Sequence, residues 1–156
     1  MTRAERNFEA EKAALEAQLA TERAHAASGL RSLHEEWARA LLGVGTKGNV
    51  AAVMRRAATA GADRERAAEA AAHLAEAAKW QAEIASFATS GAEGVAAMTE
   101  VRGLELARAW LLTLDPSARA RRAAKKICDT IARDPNGVPS ALRPHLAALN
   151  AVLAER

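Results

Sequence analysis

Residues 4–42 read AERNFEAEKAALEAQLATERAHAASGLRSLHEEWARALL, with no proline and a single glycine, Gly29. Alanine, leucine, glutamate, lysine and arginine fill most of the stretch, and these residues lose least on entering a helix. Apolar residues recur at Phe8, Leu15, Leu19, Ala26, Leu30, Leu33, Trp37 and Leu41, which predicts one unbroken helix. Phe8, Leu19, Leu30 and Leu41 stand eleven apart, as do Leu15, Ala26 and Trp37, with Glu22 as the break in the pattern. A period of eleven, about 3.67 residues per turn, predicts a straight or slightly right-handed stripe rather than a left-handed coiled coil. At about 1.5 Å per residue the helix approaches roughly 60 Å, more than a compact domain of this size needs. Part of it is therefore expected to project or to pair with another chain.

Working outward, Gly43, Gly45 and Gly48 end this helix, because so much backbone freedom opposes helix continuation. A short helix is expected from about Val50 to Thr59, closed by Gly61, and Asp63 then offers an N-cap to a second long helix running to about Thr89. In that helix His73, Ala77, Trp80, Ile84 and Phe87 fall at heptad spacing and are read as its core stripe. A turn at Ser90–Gly94 leads to a helix over Val95–Leu114 with Met98, Val101, Leu104, Leu111 and Leu114 inward. Asp115-Pro116 is read as the cap and first position of a helix ending near Arg133. After a Pro-Asn-Gly turn, a last helix carries Leu142, Leu146, Leu149 and Leu153, with Pro144 in its first turn. No segment alternates with period two, so no sheet is expected. The fold class is all-α: an antiparallel bundle of about six helices forming a single domain over 1–156, with a long N-terminal helix, 1–42, and a bundle over 50–156.

Composition says what such a bundle must be made of. The chain has 156 residues, half of them apolar, yet only 3% are aromatic and tyrosine is absent, so the core must be largely alanine and leucine. Alanine buries little surface, so stability has to come from many close helix contacts. Phe8, Trp37, Trp80, Phe87 and Trp110 are expected to be the bulky anchors. The single cysteine, Cys128, excludes an intrachain disulfide and suits a reducing compartment. With charged residues among the first eleven no export signal is expected, and no apolar run reaches the ~20 residues of a membrane helix. The expected location is cytoplasmic, with no transmembrane segment.

Charge is unevenly spread. Residues 1–114 hold 14 basic and 15 acidic side chains, net −1, whereas 115–156 hold 8 basic and 4 acidic, net +4. Arg119, Arg121, Arg122, Lys125, Lys126 and Arg133 fall on one broad helical face, opposite Ala120, Ala123, Ala124, Ile127 and Ile131. Such a face attracts phosphates and acidic surfaces. Against that stand Asp129 within it, the absence of interleaved aromatics for base stacking, and the frequency with which such faces are merely solvated.

Catalytic and metal patterns fail on spacing. Glu22-Arg23-Ala24-His25 matches one arm of a carboxylate-bridged di-iron site, but a second Glu-x-x-His and two further inward glutamates are missing. Glu69 and His73 are four apart, and His34-Glu35-Glu36 lacks the zinc-hydrolase arrangement. His73 is read as a structural histidine near Trp80 and Ile84, and His25, His34 and His145 as surface or boundary residues. Cys128 sits beside Ala124 and Ile131, the place of an inert thiol rather than a nucleophile. The loop at 43–49 has its lysine before the glycine and follows a helix, unlike a P-loop. No metal, cofactor or enzymatic activity is expected. The leading expectation is a non-enzymatic interaction protein, a subunit, adaptor or small regulator, which meets a protein partner or a second copy through Leu15, Leu19, Leu30 and Trp37. Nucleic-acid binding through the basic helix is the first alternative, and a bundle holding a small ligand or metal the second.

Overall fold

The computed structural model describes residues 1–45, 48–88, 91–134 and 138–155. Among them six helices follow in order: α1 (Arg3–Leu41), α2 (Val50–Thr59), α3 (Arg64–Ser86), α4 (Gly91–Leu112), α5 (Ala118–Ala132) and α6 (Arg143–Ala154). No described residue lies in a strand. The all-α class is as the periodicity predicts.

Local chemistry sets most of the boundaries. Thr2 and Glu5 form a reciprocal capping box at the start of α1, satisfying two backbone donors that a helix end otherwise leaves open. Asn49 caps α2 through Ala51 N at 2.8 Å. Asp63 caps α3 by accepting from the Glu65 and Arg66 amides at 3.0 and 3.1 Å. Gly43 and Gly61 follow α1 and α2 with φ of 65° and 76°, a conformation in which any Cβ is strained. Two helix starts depart from expectation. The cap of α5 is Ser117, whose Oγ accepts from Ala120 N at 3.1 Å, while Asp115 accepts one step earlier, from Ser117 N at 2.9 Å. The Asp-Pro pair thus makes a turn that places the serine, so the helix begins two residues later than predicted. Helix α4 starts at Gly91 rather than Val95, because glycine weakens a first turn without forbidding it and Glu93 favours the helix N-terminus. The expected Pro-Asn-Gly turn at 135–137 lies outside the described residues, as does Thr89, and α3 ends before it, at Ser86.

Cross-helix contacts run antiparallel. His34 meets His73 while the groove beside Trp37 and Leu41 includes Arg66 and Glu69, so α1 and α3 run in opposite directions. Gln81 reaches the Ala97 carbonyl and Arg64 pairs with Asp115, reversing α3 against α4. Arg102 pairs with Asp134, reversing α4 against α5. Helix α4 is central, packed against α2, α3, α5 and α6.

Buried residues from all six helices form one cluster: Ala38, Met54, Leu74, Leu104, Leu106, Trp110, Ile127 and Leu149 mark its extent. Its composition is as expected, but its anchors are not. Of the five predicted aromatics only Trp110 is buried, at 4% exposure. Phe8 is 64% and Trp37 46% exposed, and Trp80 and Phe87 are half-buried. The heptad read along α3 is also displaced by part of a turn. Of the predicted stripe only Ala77 is buried, together with Ala67, Ala70, Ala71, Leu74, Ala78 and Gln81, leaving His73, Trp80, Ile84 and Phe87 on the flank. Alanine lets helix axes approach closely, so the alanine-rich side became the seam and larger side chains were left at its margins.

Candidate interaction site

Helix α1 carries two apolar faces. Ala20, Ala24, Ala27, Arg31, His34 and Ala38 recur three or four apart and turn toward α3, with Ala27 and Ala38 fully buried. The larger side chains predicted from the eleven-residue period lie elsewhere. Phe8, Leu15, Leu19, Leu30, Leu33 and Trp37 are all exposed, between 37% and 64%. At 100° per residue the two faces are centred about 120° apart. Most of the large-residue stripe therefore stays off the bundle core, while its last member, Leu41, is half-buried and packs against the core cluster.

The first part of α1 leaves the bundle altogether. Every residue from Met1 to Leu19 is exposed, and the first buried one is Ala27. By the antiparallel register, α3 ends near residue 21 of α1, so about 25 Å of helix extends past it. Leu15 and Leu19 sit on this projection. Leu30 and Trp37 continue the same stripe along the part that packs on α3. The four predicted contact residues thus share one face.

Trp37 closes the far end of the stripe. Its ring lies 5.4 Å from His34 and 5.2 Å from His73, edge-on to both. The two histidines approach Nδ1 to Nδ1 at 3.0 Å, a bond that needs a hydrogen on one nitrogen and a lone pair on the other. His73 is therefore a structural histidine, as read, but its partner is His34 on α1 rather than the flank of its own helix. Nothing in the spacing of either residue announced the pair, because it forms across 39 positions. Beside it an open groove of about 530 Å³ is lined by Trp37, Ala40, Leu41, Arg66, Glu69 and His73.

Buried Arg39 was also missed by sequence reading. Its guanidinium donates to the Gly45 and Gly48 carbonyls at 2.9 and 3.3 Å and meets Glu35 at 3.2 Å. Glu35 in turn meets Arg31 at 3.1 Å. The α1–α2 connection is thus tied to the end of the long helix by charge-assisted bonds.

The basic helix α5 is less uniform than predicted. Arg119, Arg122, Lys125, Lys126 and Arg133 are exposed, and Ala120, Ala124, Ile127 and Ile131 buried, as the helical wheel requires. Arg121 does not belong with them: it is half-buried and donates to the Leu153 carbonyl near the end of α6. There it satisfies an acceptor that the helix end leaves open, so the predicted six-residue face holds five.

The remaining titratable groups are distributed rather than assembled. Glu22 and His25 are both exposed on α1. Among the described residues no three of histidine, cysteine, aspartate or glutamate gather closely enough to hold a metal ion. Cys128 is buried, and burial, with Asp129 beside it, pushes its thiol up to about 11. His145 is held below the usual histidine range by burial and by the nearby Arg55 charge. Asp115 is held low chiefly by the Ser117 amide. No helix among the described residues is long and apolar enough to cross a membrane.

Fold and site together define an all-α antiparallel bundle that presents one uncovered apolar helix face. No protein-family model matches the chain, and neither does any curated protein or solved structure.

Proposed function

We propose that this chain is a non-enzymatic helical interaction protein, a single-domain subunit, adaptor or small regulator of a larger protein assembly in the cytoplasm. The observation that carries the reading is the unpartnered stripe of α1, with Leu15 62% and Leu19 51% exposed on a projecting helix. Large apolar side chains exposed along one helix face mark interaction sites on folded chains. A projecting segment held by no tertiary contact is also marginal as an isolated helix in water, and a partner supplies the missing packing. The buried lone thiol of Cys128 suits a reducing compartment. The test compares wild type with Leu15→Asp/Leu19→Asp in solution-mass measurement and in affinity capture from cell lysate. Association through the face is expected to disappear in the variant; a strict monomer that retains no partner refutes the reading.

A second reading, nucleic-acid binding, draws on the exposed basic face of Arg119, Arg122, Lys125, Lys126 and Arg133. Binding that weakens with salt and with Arg119→Ala, Arg122→Ala and Lys126→Ala supports it. Undetectable affinity for DNA and RNA at low salt removes it.

A further inference from the structure

Resting on that reading of the α1 face, we propose that its occupant is a second copy of this chain, paired antiparallel about a two-fold axis level with residue 17. The stripe on the projecting helix is broken by two charged pairs, Glu11-Lys12 and Glu22-Arg23, whose inner members are Lys12 and Glu22. They stand five residues before and five after position 17. An antiparallel pair centred there sets Lys12 of each copy against Glu22 of the other.

The same axis sorts the apolar residues by size. Leu15 and Leu19, two before and two after, face each other across the pair. Phe8 comes opposite Ala26 and Leu30 opposite Ala4, each nine and thirteen positions from the axis. Within the overlap from Ala4 to Leu30, Phe8 and Leu30 thus each meet an alanine, which avoids the overpacking that two large side chains at one level would impose. A parallel in-register pair does the reverse: it sets Lys12 against Lys12, Glu22 against Glu22 and Phe8 against Phe8. Charge and volume therefore both select the antiparallel arrangement.

Net charge does not oppose the pairing. Residues 3–23 hold four basic and five acidic side chains, with signs interspersed. The overlap from Ala4 to Leu30 is about 40 Å of helix. Phe8, Leu15, Leu19 and Leu30, exposed at 64%, 62%, 51% and 37%, offer about 400 Å² per chain if a whole large side chain presents roughly 200 Å². Two copies bury twice that, and the stems of flanking Glu, Lys and Arg bring the total to about 1,200 Å², the lower bound of specific interfaces. The alanine seam lies about 120° away around α1, so each copy keeps its own contact between α1 and α3.

The full chain is expected to sediment near twice its 16.5 kDa mass at hundreds of micromolar and to dissociate on dilution. Lys12→Glu alone and Glu22→Lys alone should each weaken the dimer about tenfold, because like charges then meet twice per pair. The double reversal, Lys12→Glu/Glu22→Lys, should restore it. Lys12→Cys chains mixed with Glu22→Cys chains should form a disulfide-linked pair on mild oxidation, while either alone should not; buried Cys128 contributes none. A monomer at hundreds of micromolar, failure of the double reversal to restore pairing, or equal crosslinking by each single variant overturns the proposal. A monomeric wild type that still captures a foreign protein through Leu15 and Leu19 refutes the second copy but leaves the interaction reading standing. A monomer that captures nothing refutes both.

Discussion

Replacing Arg39 is the most direct test of how the long helix is joined to the bundle. The side chain is buried at 5% exposure and ties two loop carbonyls, Gly45 and Gly48, to α1. Hydrogen bonds to a charged group contribute about 1.5–3 kcal/mol each. Both glycines are exposed, so water can replace the lost donor, and the low end of that range applies. Glu35 keeps Arg31 as a partner, so its carboxylate is not stranded. Arg39→Ala is therefore expected to cost about 3 kcal/mol, while Arg39→Lys, which retains the charge and one donor direction, should cost about half as much. In urea, with a slope of about 2 kcal/mol/M, the alanine variant should shift the midpoint down by about 1.5 M. Protein concentration must be held constant, since self-association shifts apparent stability. Hydrogen exchange should locate the loss at residues 43–45 and the last turn of α1. An Arg39→Ala variant within about 0.5 kcal/mol of wild type, with unchanged exchange there, refutes the assignment of Arg39 as the tie.

The core assignment separates two leucine-sized side chains that look alike in sequence. Leu74→Ala, at a site with 0% exposure, should cost about 2–5 kcal/mol, whereas Leu33→Ala, 38% exposed on the α1 stripe, should cost under about 1 kcal/mol; thermal unfolding at matched concentration compares them. Cys128, with its thiol pushed up to about 11, should hold about one thiolate in a thousand at pH 8 and resist an aromatic disulfide reagent until the chain unfolds. Fast stoichiometric labelling of the native protein contradicts its burial. His145 has a folded pKa below its unfolded value near 6.5, so its neutral form is favoured by the fold. Its stabilising contribution is complete above that value and is lost as pH falls through it toward the folded pKa. His145→Gln should flatten this part of the stability profile, and an unchanged slope counts against the assignment.

The approximate positions of the helices, the Asp63 cap and the all-α class were legible from the sequence because they rest on local chemistry. Alanine-rich propensity, Asp63 at a helix start, and Gly43 and Gly61 at helix ends act within a few residues of themselves. The stripe of Phe8, Leu15, Leu19, Leu30 and Trp37 was legible as a line for the same reason: residues eleven apart return to one side of any helix. Which side faces a neighbour is a different quantity. Hydrophobic size pointed to the large stripe of α1, yet Ala27 and Ala38 on the other face were buried, because close approach of two helix axes rewards small side chains over many contacts at once. The same competition moved the buried line of α3 from His73 and Trp80 to Ala70, Leu74 and Ala78. It also set His34 against His73 and carried Arg121 from the basic face to the end of α6. Those pairings join residues more than thirty positions apart, and no local spacing encodes them. The sequence by itself determined where helices form and which residues line each face; the tertiary packing decided which faces are spent on the bundle and left the large apolar face of α1 uncovered.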